Sequence, residues 1–86
     1  MVAKVFVTPK RGVLDPQGKA VAHALHALGF LDVGDVRIGK YIEVRLEGTG
    51  DGQAEGRVRE MCQKLLANQV IEDFRFEIAE DGVKRG

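Results

Sequence analysis

The sequence has little of what stabilises many small proteins. It contains a single cysteine, Cys62, so no disulfide can form within the chain. Only two histidines accompany that cysteine, which leaves no ligand set for a structural zinc ion. A chain of 86 residues is one domain at most, and it buries only about 60–65% of the surface that its unfolded form exposes. So small a core predicts that association with other chains contributes to stability.

An excess of one charge and long apolar runs are also absent. Thirteen basic and thirteen acidic residues cancel, which removes the usual electrostatic basis for binding nucleic acid or an anionic membrane. No run approaches the roughly 20 apolar residues that span a bilayer, and the first residues alternate like a strand rather than a signal peptide. The lone cysteine is typical of a reducing compartment. We therefore expect a cytoplasmic protein.

Hydrophobic periodicity and capping residues predict the first strand and the first helix. Alternation over residues 2–8 predicts a strand that Pro9 ends. Asp15 followed by Pro16 is typical of a helix start, because the carboxylate accepts free N–H groups and proline loses no bond there. Gly29 supplies the left-handed residue that ends the helix. One helical face is apolar and carries Val21, Ala24, Leu25 and Leu28.

Residues 33–47 are predicted to be extended, in one of two arrangements. A three-residue turn over residues 39–41 would make a hairpin and keep Ile38 and Ile42 on one face, whereas a two-residue turn would separate them. A single long bulged strand satisfies the same alternation. The sequence leaves the hairpin and the long strand open.

A second amphipathic helix and a last strand complete the pattern. The helix follows a glycine-rich loop at residues 48–52, Asn68 is expected to end it, and residues 70–78 form the strand. The order predicts an α+β fold, a βαββαβ ferredoxin-like two-layer sandwich whose antiparallel sheet has both helices on one face. Residues 1–80 are expected to form one domain and residues 81–86 a polar tail. The second helix carries its apolar stripe on Ala54, Val58, Met61, Cys62 and Leu65.

The residues that could form a catalytic, metal or phosphate site are better explained by structural roles. Cys62 faces the predicted sheet and is interpreted as packing rather than as a nucleophile. His23 and His26 have a spacing that can hold a metal, but no carboxylate or cysteine lies within the next turn to complete the ligands. The glycines at 48–52 lack the Gly-Lys-Ser/Thr ending of a phosphate loop. We predict no catalytic, cofactor-binding or metal-binding residue in this chain.

Two features predict a binding surface instead. Glycine in the first turn of a helix costs up to about 1 kcal/mol against alanine, so Gly18 suggests that a ligand or partner approaches the backbone closely. The predicted sheet face opposite the helices is charged but balanced, and it sets aromatic residues among arginines, as protein interfaces do. The candidate interface residues are Phe6, Asp15, Gln17, Gly18, Arg37, Lys40 and Tyr41.

Four ordered runs carry a resemblance to a known family. The chain contains Leu14–Gly18, Asp35–Tyr41, Glu60–Asn68 and Val70–Phe74 at that family's spacing. Together they resemble the PurS family, the small subunit of phosphoribosylformylglycinamidine synthase, over residues 2–79.

The resemblance implies an assembly-promoting subunit with no catalytic residues of its own. The family's complex is a carbon–nitrogen ligase with glutamine as amido donor: formylglycinamide ribonucleotide, ATP and glutamine yield formylglycinamidine ribonucleotide, ADP, phosphate and glutamate. A large synthetase subunit binds ATP and Mg²⁺, and a glutaminase subunit makes ammonia. The small subunit is expected to bring both together, to aid ammonia transfer, and to self-associate as a homodimer or a dimer of dimers. No cofactor is implied in this chain.

Two other classes of protein share the predicted features. An ACT-like small-molecule-binding regulatory domain has the same order of strands and helices, with a glycine-containing loop before its first helix. A free-standing small enzyme of ferredoxin-like form is the second alternative. Amino-acid binding by the isolated chain would favour the former, and turnover without partners the latter.

Overall fold

The chain forms three antiparallel strands and two helices over residues 1–47 and 51–79, which are the residues that the computed structural model describes. The predicted α+β class is confirmed. The elements are β1 (Val2–Pro9), α1 (Pro16–Ala27), β2 (Lys40–Arg45), α2 (Asp51–Met61) with a π-helical turn after it (Cys62–Leu66), and β3 (Glu72–Ala79).

Strand β1 is the centre of the sheet, which has the order β2-β1-β3 with both pairs antiparallel. Its alternation works as the sequence predicts: Ala3, Val5 and Val7 are fully or almost fully buried under α2, and the residues between them face the other way. The register pairs Phe6 with Tyr41 on one side and with Arg75 on the other. One sheet face is therefore covered by α2, and we call the opposite one the open face.

The buried core is formed by the sheet and α2. Ala54, Val58 and Cys62 lie one helical turn apart and are buried against the strands, as the predicted stripe requires. Complete burial of the thiol confirms that Cys62 faces the sheet and packs in the core. Its partly buried neighbours in the same cluster include Ile42, Val44, Phe74, Phe76 and Ile78.

The π-helical turn shifts the end of the apolar stripe by one residue. Leu65, predicted to face the sheet, is 82% exposed, and Leu66 is partly buried against the core in its place. The reason is the wider winding, in which the Ala67 N–H donates to the Cys62 carbonyl five residues earlier at 3.0 Å. The inward face then falls on Leu66 and Ala67 instead of Leu65.

The segment at 33–47 corrects the sequence-based prediction. Residues 33–39 have no regular secondary structure, so neither the hairpin nor the single long strand forms, and the described sheet has three strands rather than four. The backbone N–H of Ile38, which a fourth strand would use in the sheet, donates to the Asp15 side chain at 2.9 Å. A tertiary bond thus replaces the strand that the alternation suggested.

Helix α1 stands apart from the core. It begins at Pro16 after the Asp15 cap and is followed by Gly29 with φ of 101°, both as predicted. None of its side chains belongs to the core cluster, however, and Leu28 is 73% exposed. Residues 33–38 run beside the helix: the Val33 carbonyl accepts a hydrogen bond from His26, and the Ile38 N–H donates to Asp15.

Several predictions lie outside the described residues, namely those for the polar tail at 81–86 and for the glycines at 48–50. Within the described part of the chain, no helix has the length and hydropathy that crossing a membrane requires.

Candidate subunit interface

An aromatic and arginine cluster occupies the open face. The ring centroids of Phe6 and Tyr41 lie 5.1 Å apart, and the Arg75 guanidinium lies 4.1 Å from the centre of the Phe6 ring. Cross-strand register creates this arrangement, because both neighbours of Phe6 in the sheet point to the same face. We call Phe6, Tyr41 and Arg75 the open-face cluster.

Acidic side chains surround and orient the open-face cluster. The Tyr41 hydroxyl donates to Glu43 Oε2 at 2.7 Å, and this hydrogen bond to a carboxylate raises the pKa of the phenol. Arg75 Nη1 lies 2.9 Å from Glu77 Oε2. Tyrosine and arginine offer a large contact area. They lose little conformational entropy on binding, because tyrosine has few side-chain torsions and the guanidinium of arginine is planar, so they dominate the energetics of many interfaces. The cluster is therefore suited to contact with another protein.

Asp15 joins the start of α1 to the segment that follows the helix. Its Oδ1 accepts the Gly18 N–H at 3.0 Å, and its Oδ2 accepts the Ile38 N–H at 2.9 Å. These backbone donors, Gly18 first and then Ile38, hold the pKa of the carboxyl below its ordinary value. Asp15 therefore caps the helix and also makes a tertiary hydrogen bond to the segment that follows it.

Gly18 is explained by the chain itself rather than by a partner. A Cβ on this residue would collide with the backbone carbonyl of Val36 and with the Asp15 carboxylate. The predicted close approach to its backbone exists, but residues 33–38 make it. Gly39 has the same function beside the Val7 carbonyl. Both glycines therefore allow backbone segments to pack closely, and neither points to a ligand.

The remaining candidates, Arg37, Lys40 and Gln17, lie in three different places. Arg37 Nη1 donates to the Pro9 carbonyl at 2.9 Å and so holds residues 33–38 against the end of β1. Lys40 pairs with Val7 in the register, hence lies on the helix side, where its Nζ is 3.7 Å from Glu72 Oε2. Gln17 is exposed on the first turn of α1. Of the seven predicted residues, Phe6 and Tyr41 share the open face, and Asp15, Gly18 and Arg37 meet around residues 33–38.

The prediction missed two contributors to the surface. Arg75 completes the open-face cluster, and the alternation of β3 already placed it on that face beside Phe6. The second is an apolar surface on and after α1, where Leu28, Phe30 and Leu31 are all more than half exposed. Its signal was the pair of large apolar residues directly after Gly29.

Cys62 is buried, and His26 makes a hydrogen bond within the chain. Burial raises the pKa of the Cys62 thiol, which opposes formation of a thiolate nucleophile. His26 Nε2 donates to the Val33 carbonyl at 2.7 Å, so this ring helps to hold residues 33–38 against α1. Among the described residues, no group of three or more His, Cys, Asp or Glu side chains is placed to hold a metal ion.

Comparison with known proteins identifies the family. A family model described as PurS, phosphoribosylformylglycinamidine (FGAM) synthase, matches residues 2–80. The chain belongs to the PurS family. Among curated relatives, it is 56% identical to the PurS subunit of phosphoribosylformylglycinamidine synthase from Bacillus subtilis, over 90% of each chain. The corresponding Synechocystis subunit is 48% identical over 87% of this chain and 75% of the relative.

Solved structures of PurS proteins share the fold. The C2 crystal form of Bacillus subtilis PurS superposes with a TM-score of 0.78 at 54% identity, over 92% of this chain and 98% of the other. A chain in the structure of PurLQS from Thermotoga maritima gives a TM-score of 0.74 at 28% identity, over 90% and 96%. These similarities confirm the family suggested by the four sequence runs. They give no support to the ACT-like alternative.

Proposed function

We propose that this chain is the assembly-promoting PurS subunit of a phosphoribosylformylglycinamidine synthase. The observation that carries the proposal is its 56% identity, over 90% of each chain, to a protein named as that subunit. The similarity to a chain of a PurLQS structure supports a place within a complex of several subunits. The reaction converts formylglycinamide ribonucleotide, ATP and glutamine to formylglycinamidine ribonucleotide, ADP, phosphate and glutamate.

The contribution of this chain is positional. Releasing ammonia from glutamine needs an activated cysteine with a base and an oxyanion hole, whereas Cys62 is buried and its pKa is raised. Amidation needs ATP and Mg²⁺, which we assign to the synthetase subunit. A subunit that only positions others can still be indispensable, because misplacing reacting groups by about 1 Å costs about 100-fold in rate.

The open-face cluster is the surface that we assign to contact with the synthetase or glutaminase subunit. Phe6, Tyr41 and Arg75 form one continuous contact area whose acidic neighbours keep its charge balanced. Such a surface suits a protein partner better than RNA, because an RNA-binding sheet needs a positive surround for its aromatic residues. Passage of ammonia between the two larger subunits is part of this proposal.

Self-association, as a homodimer or a dimer of dimers, is supported by the position of α1. An amphipathic helix gains most of its stability from packing its apolar face. In this chain that face lies outside the core, and Leu28, Phe30 and Leu31 extend it as exposed apolar surface. A second copy of the chain would cover this surface. The proposed location is the cytoplasm, which the unpaired, buried Cys62 is consistent with.

Reconstitution from separately purified subunits tests the proposed function. ADP and glutamate release are followed while this chain, the synthetase and the glutaminase are combined singly, in pairs and together. Glutamine-dependent turnover is expected only with all three. If the chain holds the synthetase in its working shape, free ammonia replaces the glutaminase but not this chain. Full glutamine-dependent turnover by the synthetase and glutaminase alone would refute the proposal.

A further inference from the structure

A concavity of about 600 Å³ lies beside the N-terminal half of α1. Its walls are the loop after β1, the exposed side of the helix and residues 34–37. This volume lies within the roughly 300–1,000 Å³ of small-molecule sites. Neither the open-face cluster nor the apolar surface after α1 forms part of it, so the interfaces proposed above leave it unexplained.

The walls of this concavity are positively charged although the chain as a whole is neutral. Lys10, Arg11, Lys19 and Arg37 face two carboxylates, Asp15 and Asp35. Both carboxylates are already engaged. The oxygens of Asp15 accept two backbone N–H groups, and Asp35 Oδ2 lies 4.0 Å from Arg37 Nε.

Two of the cations have no partner in the part of the chain that the structure describes. Lys10 Nζ lies 3.4 Å from Asp73 Oδ1, and Arg37 donates to the Pro9 carbonyl. Arg11 and Lys19, in contrast, are exposed and make no hydrogen bond or ion pair with the described residues. Arginine and lysine side chains that line one depression can both donate to phosphate oxygens, arginine through a planar fork and lysine as a point charge.

A glycine leaves one wall of the concavity open. At Gly34 the backbone does not require glycine, because φ is outside the left-handed region and an added Cβ would meet no atom within 4 Å. Neither conformation nor packing therefore accounts for the missing side chain, in contrast to Gly18 and Gly39. Gly34 lines the concavity, so a large side chain at this position can take up part of its space.

We propose that this concavity binds a phosphate-bearing small molecule, with Arg11 and Lys19 as its ligands. Four cationic and two anionic side chains line this depression of small-molecule size, while the chain as a whole is neutral. This distribution favours a compact anion over a nucleic acid, which needs an extended basic surface. The proposal concerns the isolated chain and does not depend on assembly with other subunits.

Titration of the isotope-labelled full chain, followed by amide chemical shifts in NMR, tests this site. Inorganic phosphate is added at constant ionic strength, and ribose 5-phosphate and ADP follow in separate titrations. We expect saturable shifts centred on residues 10–19 and 34–37. Whichever ester binds more tightly than inorganic phosphate identifies the source of the phosphate as a sugar phosphate or a nucleotide.

Three variants locate the site. Arg11→Gln and Lys19→Gln are each expected to weaken binding by about fivefold or more, since each removes one charged hydrogen-bond donor. Gly34→Leu should weaken binding by taking up part of the concavity while the unfolding midpoint is kept. The matched control Arg57→Gln removes an exposed cation from α2 and should leave binding unchanged. Absence of saturable shifts with all three anions, or equal weakening by Arg57→Gln, would overturn the proposal.

Discussion

At the scale of single residues, Asp15 connects local and tertiary structure. One carboxylate oxygen caps α1 and the other binds the backbone at Ile38, so its charge stabilises two parts of the chain. Because its pKa is lowered in the folded state, this stability is complete above the pKa of the unfolded chain, about 3.8, and is lost as the pH falls through the lower folded-state value.

Asp15→Asn should remove the stability that the charge of Asp15 provides above its pKa. The variant is expected to unfold at a lower urea concentration than the parent chain near neutral pH, and the difference should shrink as the pH falls below about 4. Urea unfolding midpoints across a pH series measure this. Asp32→Asn, which neutralises an exposed carboxylate after α1, is the control and should follow the parent curve. Parallel curves for Asp15→Asn and the parent chain would contradict the assignment.

Cys62→Ala tests whether the thiol does anything beyond packing. Removing one buried sulfur should cost about 1 kcal/mol of unfolding free energy through a small cavity. Glutamine-dependent turnover in the reconstituted complex should stay unchanged, because a buried thiol with a raised pKa is no nucleophile. A folded, assembled Cys62→Ala chain without activity would show that the sulfur takes part in the reaction.

At the scale of elements, the sequence predicts those helices and strands that local interactions determine and fails where a tertiary contact decides. Strand β1 and the start of α1 were readable, because alternation and the Asp15-Pro16 cap act over a few residues. The irregular structure of residues 33–39 was not predictable, because their alternation is compatible with a strand. Only the tertiary hydrogen bond from Ile38 to Asp15 shows that the strand does not form. Leu65 was misplaced because no residue pattern announces a π-helical turn. Phe6 and Tyr41 were placed correctly by parity alone.

Gly18→Ala compared with Gly34→Ala tests how residues 33–38 are attached. A Cβ at residue 18 collides with the Val36 carbonyl, so we expect a loss of about 1–3 kcal/mol in spite of alanine's better helix propensity. At residue 34 a Cβ meets nothing, and alanine should be neutral or stabilise by up to about 1 kcal/mol. Urea unfolding of both variants measures the difference. Equal stabilities would mean that the segment shifts freely relative to α1.

At the scale of the whole molecule, the detached helix α1 predicts how the chain associates. Leu28→Asp places a charge in the exposed apolar surface and should shift the protein toward a 9.4 kDa monomer in sedimentation velocity at micromolar concentration. The fold should be retained, because Leu28 is not part of the core. Ala20→Asp, on another side of the same helix, should not change the mass. A parent chain that already sediments as a monomer would refute self-association.

The open-face cluster makes a separate prediction for the complex. Tyr41→Ala and Arg75→Ala should each weaken association with the other subunits by on the order of tenfold, as truncation of an interface hot spot does. Lys40→Ala is the control, because Lys40 is next to Tyr41 in the chain but lies on the helix side of the sheet. Binding to immobilised synthetase and glutaminase gives the affinities. If only Lys40→Ala weakens binding, the contact lies on the helix side.

The π-helical turn after α2 has a consequence for chain length. It joins groups five residues apart in sequence where an α-helix joins groups four apart, so this region contains one residue more than an uninterrupted helix would need. Deleting the exposed Gln63 would let an ordinary α-helix carry Leu66 and Ala67 to the third and fourth positions after Cys62, still facing the sheet. The turn is therefore a point at which one residue can be removed while the inward side chains keep their places.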